Sequence, residues 1–311
     1  MRGLRTVLAA GVTALVLTSC AGNGTEPAAA PGSPGAPRLS GPEPARTLSE
    51  APLATDATSG GTSPPSSPAP GTTDATAPAP PAPDRRACYR LAFTDLPRAA
   101  NDSEPVPCGS RHTTQTIHVG RLDTVVDGHS LSVDSATAEE QMASTCHRRM
   151  TAYLGGPVAR RHMSRFMVVW FRPTLEQADL GARWFRCDLV ALAGGSRLYP
   201  LPGPRRLHGV LESSRALRTY GLCGTTAPGS PGFDRVICGR PHRWRAFSTI
   251  AIDGGRKYPG QRAVREAGDA TCRARAAQLT GFSLKFSYGW EWPTRDQWES
   301  GQHYGYCWVP D

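Results

Sequence analysis

The chain has 311 residues, including 33 glycines, 29 prolines and nine cysteines, and a formal net charge of +9. Its N-terminal apolar run, Val7 to Leu17, is far below the ~20 residues that span a bilayer, which excludes a transmembrane helix there. No G-x-S-x-G, H-E-x-x-H, C-x-x-C or glycine-rich phosphate loop is present, so the signatures of several enzyme classes are missing.

In chain order, Arg2 and Arg5 precede the apolar run and small residues follow it. That is the layout of a secretory signal. Leu17-Thr18-Ser19-Cys20 then resembles the lipobox of bacterial lipoproteins. The resemblance implies cleavage before Cys20, a diacylglyceryl thioether on its sulfur and acylation of the new amino group. Residues 1–19 are therefore expected to be a lipoprotein signal peptide, with Cys20 lipidated. Two or three acyl chains hold a protein on a bilayer far better than one. The expected location is the outer face of the cytoplasmic membrane, lipid-anchored and extracytoplasmic.

Residues 20–83 are nearly all Ala, Pro, Gly, Ser and Thr, as in "GGTSPPSSPAPGTTDATAPAPPAP". Such a stretch buries too little surface to offset the entropy of ordering, and it reads as a disordered linker. A flexible chain of this length averages about 45 Å end to end, and extended polyproline would reach at most about 190 Å.

The folded part then runs from Asp84 to Asp311, enough for one large domain or two small ones. Internal similarity points to two. "FMVVWFRPTLEQADLGARWFRC" (166–187) matches "FSYGWEWPTRDQWESGQHYGYC" (286–307) at Phe166/Phe286, Trp170/Trp290, Pro173/Pro293, Gln177/Gln297 and Cys187/Cys307. Upstream, Glu140, Thr145, Cys146 and Arg149 match Glu266, Thr271, Cys272 and Arg275. The expected modules are residues 84–202 and 203–311.

With Cys20 set aside for lipid, each stretch holds four cysteines in the same order. Outside the cytoplasm such cysteines pair. Four allow three pairings per stretch. Topology favours Cys88–Cys108 with Cys146–Cys187, and Cys223–Cys238 with Cys272–Cys307. The first two cysteines of each set look like neighbours on adjacent strands; the third lies on a helix and the fourth on the strand it should cover. Each longer loop, if unstrained, would contribute on the order of 3–4 kcal/mol.

"TAEEQMASTCHRRMTAYLG" places Met142, Cys146, Met150 and Tyr153 on one helical face. "QRAVREAGDATCRARAAQLTG" does likewise and ends on Gly281. "RFMVVWF" and "SLKFSYGWEW" read as strands. "PTLEQADLG" and "PTRDQWESG" read as short helical turns started by proline. "RWFRCDLVAL" and "HYGYCWV" close each unit as strands. The expected fold class is α+β: two tandem disulfide-stapled modules, each a mostly antiparallel sheet packed on one main helix.

The opening cysteine, "VPCGSRH" or "VICGRPH", the helix cysteine, the aromatic-proline segment and the closing cysteine strand together resemble the septum formation domain family of high-GC Gram-positive bacteria. The likeness covers Cys88–Cys187 and Cys223–Cys307. Members often read C-x-x-P-H-x-x-E after the second cysteine; Pro241 and His242 keep this, Arg111 precedes His112, and Gln115 and Arg245 replace the glutamate. The resemblance implies a link to the envelope or to cell division, and no reaction.

C-x-x-x-H offers half of a zinc site, but no second ligand pair is shared between the two stretches and an oxidised cysteine cannot ligate. A nucleophilic cysteine should be left over after pairing, and none is. No metal, cofactor or catalytic residue is expected, and the chain is read as a non-enzyme. His112 and His242 are expected at strand ends, bonded to backbone. With Trp244 and Trp292, they are also the candidate ligand contacts.

Trp170 and Trp290 stand at matching strand positions and are expected in the core. Trp244, Trp292, Trp298 and Trp308, with Tyr288, Tyr304 and Tyr306, enrich the second stretch alone. Some are expected to be exposed beside arginine as a binding face for carbohydrate or a protein partner. Residues 84–202 carry a formal charge of +3 and 203–311 carry +7, which suits an anionic wall polymer or lipid headgroups; nucleic acid is not expected there. The function read from the sequence is a membrane-anchored binding or scaffolding module at the cell envelope. The partners are the bilayer through acylated Cys20 and an envelope protein or wall polymer. The rival is an envelope hydrolase acting on wall material.

Overall fold

The computed structural model describes residues 78–311. Cys20, the expected signal peptide and most of the expected linker lie outside the described residues. Among those described, no helix is long and apolar enough to cross a membrane.

The fold is α+β, and every strand pairing is antiparallel. The elements run β1 (Cys88–Tyr89), β2 (Thr114–Arg121), the small hairpin β3 (Val125–Val126) and β4 (His129–Ser130), then α1 (Ala136–Leu154) and α2 (Val158–His162). Next come β5 (Phe166–Phe171), α3 (Leu175–Asp179) and β6 (Trp184–Ala191). After a connection of short helical turns, α4 (Leu217–Tyr220) leads to β7 (Leu222–Gly224), β8 (Arg235–Ile237) and β9 (Trp244–Ala251). The chain closes with α5 (Gln261–Leu279), β10 (Gly289–Glu291), α6 (Arg295–Glu299) and β11 (Tyr304–Pro310). One sheet has the order β1-β2-β6-β5, and the other β10-β11-β9-β7-β8.

The two long helices form because their apolar residues recur every fourth position. α1 buries Ala138, Met142, Cys146 and Leu154; α5 buries Val264, Gly268, Cys272 and Ala276. Ser135 caps α1, its hydroxyl accepting the Ala138 N–H at 3.2 Å. Gly155, at φ 67°, ends it in a backbone region that glycine enters without penalty. Each helix is bonded to a central strand: Cys146 pairs with Cys187 on β6, and Cys272 with Cys307 on β11.

Three local features differ from the sequence reading. The short turns α3 and α6 are not started by proline. Thr174 and Thr294 are the N-caps, and Gln177 and Gln297 reach back to complete capping boxes. The strand expected over 283–292 contracts to Gly289–Glu291. Pro228 packs against Gly289, and residues 281–285 are exposed, so nothing pairs with the upstream half. Third, the 192–221 connection is more structured than its loop-like composition suggests. Leu207 and Leu211 are fully buried, in one cluster with Leu154, Leu189 and Ile237.

The two halves meet through this connection and through backbone bonds, the Leu222 N–H donating to the Met163 carbonyl at 2.8 Å and the Ile237 N–H to the Ala193 carbonyl at 3.3 Å. The His162 ring stacks on Tyr304 at 3.7 Å. Arg235 on β8 forms an ion pair with Glu291 at 2.8 Å, and Glu291 also accepts the Trp308 indole N–H at 3.0 Å. Burial and the neighbouring Arg235 push Arg165 down to about 10. In the first sheet, Arg186 lies over the Tyr89 ring at 3.9 Å and pairs with the fully buried Asp188 at 3.1 Å. Asp188 also accepts the Thr116 hydroxyl at 2.7 Å.

Candidate functional site

The cysteine-histidine motif resolves into one local device used twice. Cys88 lies 5.3 Å from Cys108 between Cα atoms, and Cys223 lies 5.0 Å from Cys238; both pairs are disulfides. After the second cysteine the chain turns, and the histidine folds back. His112 Nδ1 meets the Ser110 carbonyl at 2.8 Å, and His242 Nδ1 meets the Arg240 carbonyl at 2.6 Å. Each histidine thus pins the carbonyl two residues before it and fixes the turn.

The far ring nitrogens differ. His112 is 1% exposed, and its Nε2 is buried without a protein hydrogen-bond partner. His242 Nε2 faces the Asp311 carboxylate at 2.9 Å, and the other oxygen of Asp311 takes Arg245 at 2.8 Å. Both nitrogens of His242 therefore meet oxygen atoms, one of the backbone and one of a carboxylate.

The ligating atoms of Cys223, Cys238 and His242 lie within 4.8 Å of one another. Both sulfurs are tied up in the disulfide, so neither presents the thiolate a zinc site needs.

The candidate ligand contacts do not converge on one place. His112 is enclosed, His242 is held by Asp311, and Trp244 packs, half-buried, in the cluster around Trp308 and Tyr306. Of the aromatics that enrich the second stretch, some of which are expected at the surface, Trp298, Trp308 and Tyr306 are buried. Packing claims them: Trp308 meets Phe233 edge to face at 5.4 Å, and Trp298 stacks on His303 at 4.2 Å.

Trp292 is different. It lines a groove of about 560 Å³ with Arg265, Glu266, Asp269 and Ala270 of α5, and with Tyr288 and Trp290. Tyr288, Trp290 and Trp292 alternate along the chain at β10, so strand geometry puts all three on the face toward α5. Trp290, in the middle, is 7% exposed and donates its indole N–H to the Val264 carbonyl at 3.3 Å. Tyr288 and Trp292 stand half-buried on either side. Tyr288 O–H donates to the Asp269 carboxylate at 3.3 Å, and the Arg265 guanidinium lies 5.7 Å from the Trp292 ring centre. Burial first, then the Asp269 charge, raises the Tyr288 hydroxyl above its usual range. Glu266 is paired with Arg262 at 2.9 Å.

With this geometry in place, comparison with known families gives one match: septum formation, over residues 85–307. The chain belongs to the septum formation family. The match runs continuously across both sheets and all four disulfides. No curated protein and no solved structure matches the chain. Within this septum formation domain, the sequence points to Trp292 and, among the aromatics of the second stretch, to Tyr288, but not to Asp269, Glu266 and Arg265 as their neighbours. The signal was there in the period-two aromatics at 288, 290 and 292. It was obscured because the acids sit among arginines on what reads as an ordinary solvated helix face.

Proposed function

We propose that the chain is a lipid-anchored binding or scaffolding module of the cell envelope, linked to septum formation and made of two tandem copies. The family match is the observation that carries the septal link. Two features support the tandem reading. The order β1-β2-β6-β5 of the first sheet recurs as β7-β9-β11-β10 in the second. In both, a helix cysteine is tied to the strand second from the edge. A hydrolase of wall glycan would use carboxylates flanking the scissile bond. Glu266 and Asp269 stand three residues apart on one helix, on one wall of the groove, an arrangement that favours holding a ligand over cutting it.

The test is to express the full chain and Cys20→Ala as fluorescent fusions in a Gram-positive host fed an alkyne fatty acid. The expected result is a labelled, membrane-bound native protein concentrated at division sites, with the variant unlabelled and released. An unlabelled native protein would overturn the anchor, and an even distribution around the cell would overturn the septal link.

A further inference from the structure

We propose that the groove between α5 and β10 is a binding site for an uncharged oligosaccharide of pyranose units. It deepens the binding reading above by naming the ligand class, and the site's chemistry does not depend on where the protein is anchored.

Three observations converge on it. The first is the aromatic row. Tyr288 and Trp292 flank the buried Trp290, and four residues of extended chain span about 13 Å. The row therefore offers two partly exposed rings separated by a flat, closed floor. Sugar rings present C–H faces that stack on such side chains, and successive units of a chain can meet the two rings in turn. The groove volume of about 560 Å³ lies within the ~300–1,000 Å³ of small-molecule sites.

The second is the polar wall. Asp269 and Glu266 supply acceptors to sugar hydroxyls, and Arg265 supplies donors. The Trp292 indole N–H has no protein hydrogen-bond partner among the described residues, so it remains available to a ligand oxygen. Two carboxylates facing the groove also set the ligand's charge. With Arg265 beside them and Arg262 paired to Glu266, they leave this wall close to neutral although residues 203–311 carry +7 overall, which suits an uncharged ligand.

The third is the contrast with the first sheet. At the positions of Tyr288 and Trp292, the matching segment has Val168 and Arg172, and Ala143 stands where α5 has Asp269. Trp170 and Glu140 keep the Trp290 and Glu266 positions, and the Trp170 indole N–H donates to Glu139 at 2.8 Å. The shared tryptophan is scaffold; the flanking aromatics and Asp269 are added in the second half alone. A peptide occupant fits less well. β10 offers three residues to an added strand, and Trp290 closes the floor where an anchoring side chain would enter.

Isothermal titration and intrinsic fluorescence of the intact chain would test this with chitotetraose, cellotetraose and maltotetraose as neutral probes, and hyaluronate as an anionic one. Saturable binding to at least one neutral probe is expected. Trp292→Ala should weaken it by about tenfold or more. Tyr288→Phe keeps the ring and removes only the O–H to Asp269, so it guards against a variant that fails to fold; a few-fold loss is expected. Trp170→Phe, in the first sheet, should leave affinity unchanged. Binding to none of the neutral probes, binding to hyaluronate alone, or binding that ignores both Trp292→Ala and Tyr288→Phe would overturn the proposal. Septal localisation is read separately, so failure here and failure there are distinguishable.

Discussion

The indole of Trp290 occupies the space where a β-carbon on Gly268 would stand. This contact sets how closely α5 approaches β10 and makes Trp290 the floor of the groove. Gly268→Ala must push the ring or the helix outward. An over-packed site of this kind costs about 1–3 kcal/mol. Chemical denaturation of the variant should show a loss in that range, and an unchanged midpoint would mean that the helix shifts freely.

Asp188 gives a prediction with a sign. It is fully buried, and burial pushes its carboxyl up to about 6 from an ordinary 3.8, against the pull of Arg186 and Thr116. A raised carboxyl holds its proton more readily in the folded chain than in the unfolded one. Its stabilising contribution is therefore complete below about pH 4 and lost as pH rises through about 6. Asp188→Asn is neutral at every pH. The advantage of the native chain over this variant should shrink by on the order of 2–3 kcal/mol between pH 4 and pH 7. Denaturant midpoints at the two values check it; an advantage that grows with pH would show that Arg186 dominates instead.

Two ion pairs in the second half should differ sharply. Arg235 and Glu291 are 21% and 19% exposed, and Arg165 stands close enough to feel Arg235. Glu291→Gln leaves two enclosed guanidinium groups without that carboxylate and deprives the Trp308 N–H of a charged acceptor. A loss of about 3–5 kcal/mol is expected. Arg262 and Glu266 are 88% and 65% exposed, and Arg262→Gln should cost at most about 1 kcal/mol. Thermal melts of the two variants side by side decide whether burial sets the difference.

The four cystine pairs predict a peptide map. Non-reducing digestion should yield crosslinks 88–108, 146–187, 223–238 and 272–307, and no thiol among these eight positions should react with a maleimide. Replacing Cys272 and Cys307 by serine opens a 35-residue loop and should cost about 2–5 kcal/mol. Recovery of any other pairing would refute the arrangement.

The helices were legible because their burial follows a clear period. The stretches read as helical at 137–155 and 261–281 stand as Ala136–Leu154 and Gln261–Leu279. The closing strands were legible for the same reason, through their β-branched and aromatic content. The 283–288 segment misled because aromatic residues favour strand, yet Pro228 and the lack of a partner strand decide otherwise. The 192–221 connection could not be read. Its Leu207 and Leu211 become core only once the chain is folded onto α1 and β6, a contact that no local pattern announces. The groove was half visible, since Trp292 stood out while its partners on α5 were ordinary surface charges until β10 was placed beside them. His112 and His242 looked alike in sequence and make the same turn, but burial separates their outer nitrogens.

The cystine between α5 and β11 has one more consequence. β10 hangs from β11 through three paired residues, and α5 is bonded to that same strand by the cystine, so both walls of the groove are fastened to one strand, one by hydrogen bonds and one covalently. Opening the groove by moving one wall alone means breaking the cystine or the three-residue pairing of β10 with β11. A ligand entering it meets a gap already set to width and gives up little chain freedom on the protein side. Discrimination there would come from a fixed gauge, admitting chains of one thickness, and not from a surface that adapts to each.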